Sequence, residues 1–75
     1  MLEQYDNALN DFSQSLKIRP NDAHTLSERG NVYHLLRQYD KASNDLNAVL
    51  EIEPMNLIAL SIINIVKRDM ESTTK

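Results

Sequence analysis

Two histidines, eleven acidic side chains and a scatter of serines are the residues of this chain whose chemistry could go beyond packing. His24 and His34 stand ten positions apart. Helical zinc ligands need i, i+4 spacing so that both rings meet one ion, and no H-E-x-x-H occurs. No serine sits in a G-x-S-x-G turn, and the single glycine, Gly30, excludes any glycine-rich phosphate loop. The absence of cysteine removes thiol nucleophiles and disulfides, and fits a reducing, intracellular and cytoplasmic setting. Asp6, Asp11, Asp40 and Asp45 read as solvated helix surface rather than as a paired-carboxylate acid–base site. The expectation is therefore a non-enzyme with no cofactor and no metal.

Composition narrows the partners. A net charge of −3 argues against nucleic acid or an anionic membrane surface. No run approaches the ~18 consecutive apolar residues of a membrane span. The start, MLEQYDNALND, is acidic and lacks an apolar run, which predicts no signal or transit peptide. Seventy-five residues make one small domain, near the lower limit for a core unaided by metals or disulfides.

The elements that carry these residues repeat. Tyr5, Asp6, Ala8, Asn10, Asp11, Leu16, Ile18 and Pro20 recur 34 positions later as Tyr39, Asp40, Ala42, Asn44, Asp45, Leu50, Ile52 and Pro54. Leu26, Ser27 and Val32 recur at the same offset as Leu60, Ser61 and Val66. One unit, about 23–56, reads Leu26, Arg29, Gly30, Tyr33, Ala42, Leu46, Pro54. It resembles the tetratricopeptide (TPR) repeat, a 34-residue helix–turn–helix with the pattern W-x-x-L-G-x-x-Y, then A-x-x-x-F, then P. Ala8, Phe12 and Pro20 match the second half of the pattern upstream. Leu26 for tryptophan and Arg29 for leucine are the departures. Gly30 and Ala42 are small where two helices would meet closely, and Pro54 separates one unit from the next.

Helical periodicity agrees. Tyr5, Ala8, Leu9, Phe12 and Leu16 form one apolar face at i, i+3, i+4, i+7 and i+11. The predicted fold is all-α: an antiparallel helix–turn–helix solenoid fragment of TPR type over 1–70, with four helices at about 3–18, 22–36, 39–52 and 56–70. Asn21 or Asp22 caps the second helix and Asn56 the fourth. Residues 71–75 read as a polar, disordered tail. In repeat terms one whole unit is flanked by a half unit at each end.

The resemblance implies a non-catalytic protein–protein interaction module that holds a peptide or partner segment along a groove lined by the first helix of each repeat. The stripe beside the core there is His24, Ser27, Asn31 and His34. On the fourth helix the same stripe gives Ile58, Ser61, Ile65 and Arg68. Two histidines on that face predict binding that changes between about pH 5 and 8. The clamp by which some family members hold chaperone carboxylates is not expected. Asn31 matches its asparagine, but Ser27 stands where its lysine belongs and Ile65 where a polar residue is needed.

The fourth helix also predicts self-association. Leu57 and Leu60 are expected to pack inward, leaving Ile58, Ile62, Ile65 and Val66 as a second stripe at i, i+4, i+7 and i+8. A homodimer or swapped oligomer that buries this stripe is the alternative reading.

Overall fold

The structure, a computed structural model, describes residues 2–73 and the side chains of residues 4–72. Four helices follow one another: α1 (Leu2–Ile18), α2 (Ala23–Leu35), α3 (Tyr39–Ile52) and α4 (Leu57–Thr73). The helix expected over 39–52 has the observed bounds. Helix α4 runs on through Thr73, into the stretch expected as tail, because no glycine or proline follows Pro54 to stop it. Thr74 and Lys75 lie outside the described residues.

The turns have local causes. Asp22 caps α2, accepting from the Thr25 backbone N–H at 3.3 Å and the Thr25 hydroxyl at 3.0 Å. Those two bonds hold the Asp22 carboxyl below the usual aspartate range. Asn56 caps α4 by accepting from Ala59 N–H at 3.0 Å, and its amide donates to Glu53 Oε1 at 2.7 Å. Arg37 closes the α2–α3 turn with φ of 62°, the left-handed conformation that glycine or asparagine more often supplies.

Helix α2 is the hub. It packs on α1, α3 and α4, while α1 touches no other described helix. The body measures 39 × 32 × 15 Å, two helices deep at the usual 8–10 Å separation. Leu16, Ala23, Leu26, Ala42, Leu46, Val49, Ala59, Ile63 and Val66 form the core.

The α2–α3 pair is antiparallel. Arg29 meets Asp45, Gly30 meets Leu46, and the Lys41 ammonium lies 5.7 Å from the Tyr33 ring centroid. A Cβ on Gly30 would lie 3.1 Å from Cγ of Leu46 and 3.4 Å from Cβ of Asp45. The small residue thus accommodates a large neighbour across the interface; its close approach is to Leu46, not to Ala42.

Asp45 corrects the surface reading. Its side chain is 8% exposed and takes two 2.7 Å hydrogen bonds from Nε and Nη2 of Arg29. Nη1 of Arg29 donates to Ser13 Oγ on α1 at 3.2 Å. One guanidinium therefore joins α1, α2 and α3, and the Asp45 bonds raise its already high pKa. Asp6, Asp11 and Asp40 do lie on the surface.

Helix α4 turns a different face inward than its leucines suggest. Ala59, Ile63 and Val66 are buried, whereas Leu57 is 71% exposed. Leu57 occupies the repeat position of Ala23. Helix α2 has packed neighbours on α1 and α3, but α4 has only α3 and the edge of α2. Val66, expected on the self-association stripe, is fully enclosed in the core of its own chain.

Candidate partner-binding cleft

Helices α2 and α4 lie side by side, joined across the top of the α3–α4 turn. Between them opens a cleft of about 410 Å³. Its α2 wall is His24, Ser27, Glu28 and Asn31; Glu53 and Asn56 come from the turn; Ile58 and Ile62 form the α4 wall. The walls are opposite in character because the same repeat positions carry different residues. His24 and Glu28 stand 34 positions before Ile58 and Ile62.

The expected groove residues separate into three groups. His24, Ser27 and Asn31 line the cleft. His34 does not. It lies about 15 Å along the α2 axis from His24, mostly buried, with Nε2 2.7 Å from Asp69 Oδ2 on α4. Its ring also stacks at a tilt 5.9 Å from Tyr39. This contact ties the far ends of α2 and α4 together, so His34 is an interhelical strut and not a solvent-facing groove residue. Ser61 and Arg68 are exposed on α4 and do not line the cleft.

The stripe expected to drive self-association is divided as well. Ile58, 66% exposed, and the half-buried Ile62 belong to the cleft wall. Ile65 is exposed one turn further on. Ile58 is expected both on the groove stripe and on the self-association stripe, whereas Ile62 is expected only on the latter, and Glu28, Glu53 and Asn56 are not among the expected groove residues. The signal for Ile62 is the same 34-residue offset that gives Ile58: Ile62 stands at the repeat position of Glu28.

Polar bonding in the cleft is incomplete at one atom. His24 pairs with Glu28 one turn on, and Asn56 with Glu53. Ser27 is 8% exposed, and its Oγ is buried with no hydrogen-bond partner. A buried hydroxyl without a partner costs about 1–3 kcal/mol. Ser27→Ala is accordingly expected to stabilise the fold by about 1 kcal/mol, helped by the helix propensity of alanine. Thermal unfolding monitored by circular dichroism measures it. A lowered Tm would mean that the hydroxyl supports the fold.

Among the described residues, no group of three or more histidine and acidic side chains is placed to hold a metal ion. No helix there is long and apolar enough to cross a membrane.

Stacked antiparallel helix pairs at a fixed 34-residue offset, with an open cleft between the first helices of successive pairs, define an α-hairpin repeat protein. The sequence matches the family description "TPR repeat" over residues 2–36 and "Tetratricopeptide repeat" over residues 23–56. The chain belongs to the tetratricopeptide-repeat family. Repeats of this family generally mediate protein–protein interaction and are typically non-catalytic. Comparison with curated proteins gave no match.

Proposed function

We propose that the chain is a non-catalytic interaction module whose α2–α4 cleft holds a segment of a partner protein. The observation that carries this reading is the cleft itself: an open space of about 410 Å³ with an apolar wall and a polar wall. Ligand sites combine those features, apolar area for affinity and a few polar groups for orientation. The test is selection of peptides from a displayed random library on the immobilised chain. Enriched peptides should bind Ile58→Gln at least about tenfold more weakly, as expected when a polar amide replaces an apolar anchor. Peptides that bind Ile58→Gln as well as the parent chain would refute the reading.

A second reading, self-association, is supported by Met55, Leu57 and Ile58, which stand exposed together around the start of α4. Head-to-tail stacking in repeat register is disfavoured. It would set Asn64 of one copy, at the position of Gly30, against Phe12 of the next, at the position of Leu46. Even a single Cβ at Gly30 would already come within 3.1 Å of Leu46. A two-fold pairing of α4 faces carries no such clash. Molar mass in solution separates the readings: 8.6 kDa across the micromolar range for the peptide-binding module, twice that for the pair.

A further inference from the structure

We propose that the segment this cleft accepts is cationic, with a branched apolar residue set between lysines or arginines. The inference rests on the cleft being the binding site and adds the chemistry of the occupant. Glu28 on one wall and Glu53 in the turn bring two carboxylates to the cleft, and its lining contains no lysine or arginine. His24 pairs with Oε1 of Glu28 and the Asn56 amide donates to Oε1 of Glu53, which leaves Oε2 of each carboxylate for an incoming cation. An acidic segment would face like charge here, whereas lysine or arginine beside the apolar anchor finds opposite charge. Ile58 and Ile62 supply the surface on which that anchor is buried.

The probe is a decapeptide alternating lysine and isoleucine, titrated into the full chain by fluorescence anisotropy. It is compared with the same peptide carrying glutamate for each lysine, and with one carrying serine for each isoleucine. The parent peptide should bind at least about tenfold more tightly than either. Glu28→Gln combined with Glu53→Gln should remove about tenfold of that affinity, since each charged contact is modest alone. Asp6→Asn with Asp11→Asn, the same change in net charge on exposed α1 positions, should leave it within about twofold. If the glutamate peptide binds as well as the lysine peptide and Ile58→Gln weakens both, the cleft stands and the cationic assignment falls. If Ile58→Gln changes neither, the cleft is not the site and both readings fall. No binding of the lysine peptide at millimolar concentration overturns the proposal too.

Discussion

Arg29→Ala is expected to cost roughly 3–5 kcal/mol, because it leaves the enclosed Asp45 carboxylate without its counter-charge. Geometry supports the size of the effect. Two 2.7 Å bonds run in parallel from the guanidinium to the carboxylate, and the arginine side chain is itself only 22% exposed. The third bond, to Ser13, is the one side-chain hydrogen bond among the described residues that ties α1 to α2. Its loss should loosen α1 first, since α1 has no other helical neighbour. At roughly 0.05–0.15 kcal/mol per residue the whole chain holds about 4–11 kcal/mol, so this single change removes a large share. The sign of the double variant is informative. Arg29→Leu with Asp45→Ala eliminates both charges and should recover most of the loss, because apolar groups in a core carry no unmet desolvation. Urea unfolding of Arg29→Leu, Asp45→Ala and the double variant gives the coupling energy from midpoints at constant slope. Independent, additive losses would show that the pair contributes nothing as a pair.

Leu46→Ala is expected to cost roughly 2–5 kcal/mol. Leu46 is fully enclosed at the centre of the α2–α3 interface, and Gly30 opposite it has no side chain to move into the space. The cavity therefore cannot close from the α2 side except by backbone shift, which places the cost toward the upper part of that range. Gly30→Ala added to Leu46→Ala should return part of the stability. The new methyl occupies space that Leu46 had filled, and alanine exceeds glycine in helix propensity by about 1 kcal/mol. The same midpoints measure it. A double variant less stable than Leu46→Ala alone would contradict the Gly30–Leu46 register.

Much of this architecture is legible in the residues. Tyr39, Ala42, Leu46 and Val49 place α3 correctly by period alone, and Asp22 and Asn56 announce the helix starts through short side chains that can reach backbone N–H groups. The Arg29–Asp45 pair is not legible in that way. Each residue read singly is a surface charge, and only the antiparallel register brings positions 16 apart into contact. Arg29 sits where the family pattern has leucine, so the departure from pattern was itself the trace of the pair. His34 escaped for a similar reason: its partner Asp69 is 35 positions away on α4. The inward face of α4 was misjudged because leucine outranks alanine in apolarity, yet Ala59 is enclosed and Leu57 is not. Close helix contact selects for small size, which a count of apolar residues does not register. The groove positions His24, Ser27, Asn31 and Ile58 are legible from the repeat, whereas Ile62 joins them only when it is superposed on Glu28.

The α2–α4 cleft is the proposed seat of the partner segment. The direct measurement is a ¹⁵N–¹H correlation spectrum of the chain titrated with a peptide selected from the displayed library. Backbone amide shifts are predicted to concentrate at Ser27, Asn31, Ile58 and Ile62, while those of Asn10, Gln14 and Asn47 on α1 and α3 stay in place. Shifts that gather on α1 and α3 and spare Ser27 and Ile62 would contradict it.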